Sequence, residues 1–449
     1  MGMVAQVGAA VQQLFGPLAA EAGRESRVIG RQRKFTALSL ARTFVLGFLH
    51  TPDASDEELA RVAVQSGAAV TPQAIDQRHT PKLVAFLEGL FRRAVRVVVG
   101  SDRALAPILD RFPAVIVLDS STISLPDDQQ ERFRGCGGSY GSGQAALKLQ
   151  TELDLRSGAL AHVEIESGRR TDNATNRQQV RRAEGTLRIT DLGYFNLAVF
   201  AAMIAAGEHF LSRLHYGTGV GLPEGPAVAV LEWLAAQAGP IVDRPIRLGW
   251  EQQLACRLIA WRLPAEPANR RRQKLRAEHR RKWGREPTAE RLAWCDWTIL
   301  VTSVPPERLT PEEAIVLYRA RWQIELLFKR WKSQNRVAEL SGSTSVRQMV
   351  RVWARLLAAV VQHWLVVASA WGDPTRSWGK VAEAVRSFVG RLLASLEEAS
   401  ALAGVIEALI RVVATTCRRN RRTKPGTVEL LNDVELLDFE LTLQRNSDF

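Results

Sequence analysis

Four side chains that could act together on a phosphate recur at helical spacing within one segment of the chain. They are Tyr318, Arg321, Glu325 and Lys332, and the last three follow the tyrosine by 3, 7 and 14 residues. At about 100° per residue, all four would project within roughly 60° of each other on a helix. A carboxylate flanked by a phenol and two cations can hold a divalent metal ion and the phosphate beside it. The alternative is a solvated helix face with ordinary ion pairs, which any charged stripe can form.

Two neighbours of these side chains weaken the alternative of a solvated face. Trp322 is a large aromatic residue next to Arg321, and one turn before Lys332 the chain has Phe328 rather than an acid. Lys332 therefore lacks the ion-pair partner that a stabilised surface helix would place there.

The segment from Thr310 to Ser333 is predicted to form one long helix that carries all four side chains. Thr310 can cap this helix, Pro311 suits its first position, and Glu313 completes a capping box. A second stripe with the same period is apolar, and it predicts the buried face. Its members are Leu317, Ile324, Leu327, Phe328 and Trp331.

The spacing Tyr-x2-Arg-x3-Glu-x6-Lys resembles the YREK signature of bacterial insertion-sequence transposases of the IS-four family. The neighbouring Trp322 and Trp331 are also similar to the family. The resemblance implies a DDE transposase in which Glu325 is the third metal-binding carboxylate. It requires two aspartates in suitable positions elsewhere in the chain.

Two aspartates follow runs that predict core strands. Asp119 comes after the run from Ala114 to Leu118, and Asp191 comes after the run from Leu187 to Thr190. Acids at strand ends on a rigid sheet can hold two hard divalent ions about 3.5 to 4 Å apart. A lone aspartate there is better interpreted as a turn or helix cap, but together with Glu325 that alternative is weaker. The Asp-x-Gly string at Asp191 also resembles the family's pattern at its second aspartate.

The chain between the two aspartates predicts two further strands and a helix. The runs 146–155 and 159–166 alternate like the two strands of a hairpin, and Asn173 can cap a helix that continues to Arg182. Three strands, a helix and a fourth strand are the order expected of a ribonuclease-H-like core.

The 134 positions from Asp191 to Glu325 are too many for one connection, so they predict an inserted unit. Strand-like runs lie within it at 209–215, 245–252 and 255–264. A helix-like run from Arg270 to Trp283 has eight basic residues and one acid. That run is either a solvated helix or a phosphate-binding surface, and the context favours the second.

A strand-like run from Trp297 to Ser303 precedes the signature segment. It resembles the last strand before the signature helix in the family. The resemblance implies that Trp297 stacks on a base flipped out of the transposon end. A buried aromatic anchor is the alternative.

Both ends of the chain are predicted to be helical. Near the N-terminus, a helix over 36–50 precedes a second helix that Ser55 and Glu58 open with a capping box. A third helix, from Thr71, would carry Gln73, Asp76, Gln77, Arg78 and His79. These elements suit a helix-turn-helix that contacts base edges, and a plain helical bundle equally well.

Three more helices are predicted after Lys332, at 346–371, 378–393 and 396–417. The resemblance implies that these C-terminal helices contribute to dimer contacts. An apolar face that completes the core is the alternative.

Composition favours a polyanionic partner. The 449 residues carry a formal net charge of +13 with a pI near 10.1, and 46% of them are hydrophobic, which is enough to build real cores. DNA fits this charge, but ribosomal or membrane-surface binding would fit it equally well.

Cysteine usage and hydropathy predict a cytoplasmic protein without a membrane span. The four cysteines form no Cys-x-x-Cys pair, which argues against both a zinc site and a disulfide framework. The first residues lack a signal-peptide pattern. The longest apolar run, Leu356 to Trp371, contains Gln362 and His363 and predicts a buried helix.

The predicted fold class is α/β: a ribonuclease-H-like mixed-sheet catalytic core interrupted by a mainly β insertion, with helical N- and C-terminal regions. Five segments follow from it. They are a helical DNA-binding domain at 1–105, the first part of the core at 106–207, the β-rich insertion with its basic helix at 208–304, the second part of the core with the signature helix at 305–372, and a helical C-terminal region at 373–449.

The function implied by the resemblance is cut-and-paste transposition through a hairpin intermediate. Asp119, Asp191 and Glu325 would be the catalytic ligands of two Mg²⁺ ions, with Mn²⁺ as a substitute. DNA contacts would come from Tyr318, Arg321, Trp322, Lys332 and Trp297. The partners would be double-stranded DNA, as terminal inverted repeats and target, and a second copy of the chain in a synaptic complex at the bacterial nucleoid.

Two rival functions remain open at this point. A ribonuclease-H-like nuclease would share the fold without strand transfer. A domesticated DNA-binding protein would keep the basic surfaces without needing the acids, and the presence of all three acids disfavours it.

Overall fold

The computed structural model describes residues 2–30, 34–137, 143–420 and 425–436. These residues form two compact units, each assembled from three separate chain segments. Unit 1 consists of the described residues within 2–105, 119–171 and 323–420, and unit 2 of those within 106–118, 172–322 and 425–436.

The described residues contain eighteen α-helices. In chain order they are α1 Met3–Gln13, α2 Ala19–Ser26, α3 Ala37–Ala41, α4 Gly47–His50, α5 Asp56–Gln65, α6 Pro72–Asp76, α7 Pro81–Ala94, α8 Leu197–Ala205, α9 Val230–Ala235, α10 Ala265–Trp283, α11 Ala289–Ala293, α12 Pro311–Ala320, α13 Trp322–Gln334, α14 Ser345–Ala370, α15 Trp378–Ser387, α16 Val389–Ser395, α17 Ala399–Thr416 and α18 Thr427–Asn432.

Nine β-strands are found in the same residues. They are β1 Val115–Ser124, β2 Ala146–Asp154, β3 Leu160–Ser167, β4 Leu187–Thr190, β5 His209–Arg213, β6 Val220–Gly221, β7 Ile241–Leu248, β8 Leu254–Arg262 and β9 Trp297–Thr302. This mixture of strands with helical N- and C-terminal regions confirms the predicted α/β class.

The strands of unit 2 form a mixed sheet. The first half of β1 pairs in parallel with β4, and β4 pairs in parallel with β5. From β5 the order continues through β9, β8, β7 and β6, and every one of these pairs is antiparallel. The strands of the predicted insertion, of which β5 is the first, therefore extend the sheet that β1 and β4 begin.

Unit 1 combines a short run of sheet with most of the helices. The strand order is β3-β2-β1, of which unit 1 holds the second half of β1. The 26-residue helix α14 is the central helix of unit 1, and α7 packs along it. In one such contact, the ring centroids of Phe91 and Trp353 lie 5.7 Å apart. The helical segments predicted at both ends of the chain thus share one core.

By length and hydropathy alone, two of the described helices could cross a membrane, α14 and α17. The most apolar window of α14 is 89% buried inside the protein, as expected for a core helix, and that of α17 is 22% buried. The burial of α14 agrees with the predicted interpretation of 356–371 as a buried helix.

The first catalytic candidate does not lie at the end of its strand. β1 was expected to end at Leu118, but it continues to Ser124, so Asp119 is its fifth residue. The cause lies in the next residues, because buried Ser121 and Ile123 alternate with exposed Thr122 and continue a half-buried strand pattern.

The helix predicted from Asn173 to Arg182 is wrong. The chain forms only two short 3₁₀ turns there, Asp172–Ala174 and Asn176–Gln179. The guanidinium of Arg188 accounts for this, because it takes the carbonyl oxygens of Gln178 and Val180 as acceptors. In the predicted helix the Gln178 carbonyl would accept from the backbone N–H of Arg182, which donates to the Glu208 carboxylate instead.

The third N-terminal helix is shorter than predicted. Thr71 caps α6 as expected, but the helix ends at Asp76, so Gln77, Arg78 and His79 lie beyond it. The capping box at Ser55 that opens α5 is confirmed. Base recognition by this region stays a prediction, as do the five predicted segment boundaries.

Candidate active site

The second aspartate of the predicted site stands at the carboxyl end of a central strand of unit 2. Asp191 follows β4 directly and precedes a 3₁₀ turn from Leu192 to Tyr194. The backbone N–H of Tyr194 donates to the Asp191 carbonyl at 3.0 Å, which closes this turn. The side chain of Asp191 is partly exposed. The predicted strand and its terminal acid are therefore both present.

A tyrosine of the signature contacts this aspartate. The Tyr318 hydroxyl donates to Asp191 Oδ1 at 3.4 Å, across a separation of 127 residues. Burial raises the pKa of Tyr318, and the Asp191 charge raises it further. The hydroxyl therefore stays protonated at neutral pH and acts as a donor to the carboxylate.

The helix that carries Tyr318 begins as predicted but is interrupted. Thr310 and Glu313 form the expected capping box, with Pro311 in the first position. α12 then ends at Ala320, and α13 begins at Trp322. The prediction of one uninterrupted helix from Thr310 to Ser333 is wrong at this point.

The interruption is confined to Arg321. Its backbone N–H bonds to the Tyr318 carbonyl three residues back at 3.2 Å, which is a tighter turn than the α-helix has. Its φ of −48° and ψ of −36° nevertheless remain helical. All five residues of the predicted apolar stripe are buried: Leu317, Ile324, Leu327, Phe328 and Trp331.

The Arg321 side chain lies against the tyrosine. Arg321 is 5% exposed, and its guanidinium carbon lies 6.0 Å from the centre of the Tyr318 ring. A hydrogen bond from Arg321 to the phenol opposes the rise in the Tyr318 pKa. A phenol, a guanidinium and the Asp191 carboxylate thus form one cluster in unit 2.

Two further arginines, which sequence reasoning did not select, line the pocket beside Tyr318. Arg213 is the last residue of β5, and Arg271 projects from α10; Arg319 and Thr298 complete this side of the pocket. Arg213 could have been found from its place near the end of the strand-like run 209–215. Arg271 was hidden among the eight bases of α10.

Arg271 shows how strongly positive this pocket is. It donates to the Trp297 carbonyl at 3.2 Å and to Thr298 Oγ1 at 3.0 Å. Burial lowers the pKa of Arg271 to about 10, and the charge of Arg213 contributes to the shift. The guanidinium is still charged at neutral pH, so the pocket favours an anion such as a phosphate.

The two tryptophans predicted to contact DNA are both partly exposed. Trp297 opens β9 and packs against the hydrophobic cluster of unit 2. This contact agrees with an aromatic anchor, and stacking on a flipped base stays a prediction. Trp322 opens α13 directly after Arg321.

Unit 1 contributes the other two acids of the predicted set. Asp119 is partly exposed in the middle of β1, and its Oδ1 accepts the Ser120 backbone N–H at 2.8 Å. Glu325 lies in the first turn of α13, where the helix dipole favours a carboxylate, and it is partly exposed. Both residues are thus only partly buried.

The signature lysine is a half-buried cation. Lys332 lies in the last turn of α13, and burial lowers its pKa. Among the described residues, its ammonium group makes no hydrogen bond or ion pair. This agrees with the missing acid one turn earlier in the sequence.

Residues 110–361 match the family model of the transposase DDE domain, which is more than half of the chain. The chain belongs to the DDE transposase family. The matched range contains all three predicted acids and the whole signature.

Curated relatives agree with this family. The transposase of insertion sequence IS231F from Bacillus thuringiensis subsp. israelensis is 27% identical over 336 residues, which are 70% of this chain and 69% of the relative. The transposase of IS1151 from Clostridium perfringens is 25% identical over 66% of each chain. The putative transposase InsL of IS186A from Escherichia coli K12 is 28% identical over 49% of this chain and 60% of the relative.

DDE transposases generally depend on divalent metal ions, and the three predicted acids are the candidate ligands. In the part of the chain that the structure describes, no group of three or more His, Cys, Asp or Glu side chains is close enough to hold a metal ion. Asp119 and Glu325 belong to unit 1, and Asp191 belongs to unit 2. The donors themselves, three partly exposed carboxylates, are of the hard-oxygen type that Mg²⁺ prefers.

Proposed function

We propose that this transposase binds the terminal inverted repeats of its insertion sequence and moves it by a cut-and-paste route. One observation carries the proposal. The hydrogen bond from Tyr318 to Asp191 joins the predicted second acid to the signature segment, although the two motifs are far apart in the sequence. Independent sequence patterns thus supply neighbouring groups.

In this proposal, a ribonuclease-H-like core holds Asp119, Asp191 and Glu325 as the catalytic carboxylates. They would bind two Mg²⁺ ions, or Mn²⁺ in their place. When bound, such ions activate a water or a 3′-hydroxyl for in-line attack on a phosphodiester. Tyr318 would hold the Asp191 carboxylate in one orientation through its hydroxyl.

The cations of the site would hold the DNA phosphates around the reacting one. Arg321, Arg213 and Arg271 line one positive cluster in unit 2, and a planar guanidinium can grip a phosphate through two hydrogen bonds. Lys332 would add a point charge, since its ammonium group has lost part of its hydration without gaining an acceptor among the described residues. Trp297 would stack on a flipped base, with Trp322 beside it.

The proposal also includes the biological setting. The substrates would be the terminal inverted repeats and the target DNA, and two copies of the chain would join the two ends in a synaptic complex. Cleavage would pass through a hairpin intermediate. The reaction would take place at the nucleoid in the bacterial cytoplasm.

The test compares DNA binding with DNA cleavage in an Asp191→Asn variant. Binding to an end duplex is measured in a chelator, and nicking is measured with Mg²⁺. We expect binding at least as tight as wild type, because a negative charge near the phosphates is lost, and we expect no nicking. Asp110→Asn changes an exposed acid of the same unit and should cut normally.

Two results would decide against the proposal. Near-normal nicking by Asp191→Asn would remove Asp191 from the catalytic set. Nicking without joining, when wild type receives a pre-cut end and a target plasmid, would indicate a nuclease instead of a transposase.

A further inference from the structure

The basic helix α10 begins at the same edge of the unit 2 sheet as the candidate active site. β4 and β5 are parallel, so Asp191 and Arg213 lie at one edge. β9 is antiparallel to β5 and starts at this edge with Trp297, and β8 is antiparallel to β9 and ends there, with Arg262 opposite Trp297. α10 begins three residues after β8, beside the site.

α10 is fixed to this edge at its N-terminal half and extends away from it. Arg271 bonds to the Trp297 carbonyl and to Thr298, and Arg272 pairs with Asp296. The 19 residues of α10 span about 28 Å. That length corresponds to roughly eight base pairs of duplex DNA at 3.4 Å each.

Nearby acids offset only part of the charge on α10. Glu266 pairs with Arg270, Glu286 pairs with Arg276 and Arg280, and Asp296 pairs with Arg272. Four exposed cations of this region have no acid within ion-pair distance among the described residues: Lys274, Arg281, Lys282 and Arg285.

Two of these four cations lie on one stripe of the helix. Lys274 and Arg281 are seven residues apart, so they project in nearly the same direction, about 10 Å from each other along the axis. Both side chains are exposed. A stripe of this kind can contact more than one phosphate of the same duplex.

An exposed aromatic residue ends the same helix. Trp283 is 55% exposed, although large apolar side chains are usually buried. The Lys282 ammonium lies 5.9 Å from the centre of its ring, and His279 contacts the ring edge with the centroids 4.5 Å apart. Aromatic rings interleaved with cations are typical of surfaces that bind nucleic acids.

We propose that α10 is a second DNA-binding surface of this transposase, which holds the phosphate backbone of the duplex next to the reaction site. The inference rests on the proposed function, since it takes the DNA from that reaction. Lys274 and Arg281 provide sequence-independent phosphate contacts, and Trp283 packs against the sugars or bases beyond them. The occupant is duplex DNA because the surface carries more cations than acids along a line that begins beside the site.

The experiment measures binding to an end duplex in chelator from 0.1 to 1 M salt. The double variant Lys274→Ala with Arg281→Ala should lower the salt slope by about 2, because each phosphate contact contributes about 0.9. The affinities should converge near 1 M salt and differ by about sixtyfold at 0.1 M. The conservative pair Lys274→Arg with Arg281→Lys keeps both charges and should bind like wild type.

A matched control removes two exposed cations far from α10 in the sequence, Arg244 of β7 and Arg391 of α16, by replacement with alanine. This control should keep the wild-type slope. An α10 variant whose slope equals that of the control would overturn the role of α10, while cleavage by wild type would leave the proposed function standing. A wild type that neither binds nor cuts end DNA would overturn the proposed function itself.

Discussion

Arg355 and Lys332 are both cations of unit 1 that have been withdrawn from water, and they differ in what replaces the water. Arg355 lies on α14 and is fully buried. Its guanidinium donates to five acceptors: the carbonyl oxygens of Pro52, Arg336 and Glu339, the hydroxyl of Ser341 and the carboxylate of Asp53. These contacts join α14 to the chain that follows α13 and to the loop before α5.

Lys332 is the opposite case. Burial lowers its pKa, as it lowers that of Arg355, but no acceptor of the described protein replaces the lost hydration. This difference distinguishes cations that stabilise the fold from cations that can bind a ligand. In cations of the first kind, the N–H donors bond to acceptors inside the protein. In cations of the second kind, the N–H donors remain available to a ligand.

The largest effect is expected from Arg355→Met. It removes a buried cation and leaves five acceptors without this donor, so it should lower the free energy of unfolding by about 3 kcal/mol. Denaturant unfolding of the DNA-free protein measures this. Arg391→Met, which changes an exposed arginine, should stay within about 0.5 kcal/mol of wild type. Equal stability of the two variants would contradict a structural role for Arg355.

An intermediate effect is expected from Tyr318→Phe. This variant removes the hydroxyl that donates to Asp191, which is a proposed catalytic residue. A hydrogen bond to a charged group contributes about 1.5 kcal/mol, so the cleavage rate should fall about tenfold. Tyr216→Phe is the control, because its hydroxyl donates to Glu290 at 3.0 Å on the surface of the same unit. If both variants cut equally fast, the contact with Asp191 has no catalytic role.

The smallest effect on stability is expected from Lys332→Met. The folded state lowers the pKa of Lys332, so it binds this proton less tightly than the unfolded state does. The charge therefore costs stability below the folded pKa, and that cost disappears as the pH rises towards the ordinary value of 10.5. Lys332→Met should be at least as stable as wild type at neutral pH, with an advantage that shrinks at alkaline pH.

DNA binding completes this last prediction. If Lys332 is kept for a phosphate, Lys332→Met should reduce the salt slope of binding by about 1, whatever the DNA sequence. An unchanged slope in a fully folded variant would place Lys332 with the ordinary surface residues.

Local periodicity predicted those parts of the structure that depend on local contacts. The stripe that contains Leu317 and Trp331 is buried because its spacing matches the helical repeat. The capping boxes at Ser55 and Thr310 formed for the same reason, since their partners are only three residues away. The position of Asp191 at the end of β4 was predicted because a short strand-like run, Leu187 to Thr190, ended at a turn.

Distant partners explain what local patterns missed. The segment after Asn173 is not helical because Arg188 takes its carbonyl oxygens, and Glu208 holds that arginine in a buried ion pair at 2.7 Å. No pattern within 173–182 contains this information. The sequence likewise did not distinguish Arg271 from the other seven basic residues of α10. Only the fold shows that it lines the same pocket as Tyr318.

The division of each unit into three chain segments has a consequence for the newly made protein. The apolar face of α7, with Leu83, Phe86, Leu87, Leu90 and Phe91, packs on α14, which begins about 250 residues later in the chain. At a synthesis rate of about 5 to 20 residues per second, the N-terminal helices wait roughly 12 to 50 seconds for their central helix. During that time α7 can pack on α2, which is made before it, but it still lacks the partner that covers its other contacts in the finished fold.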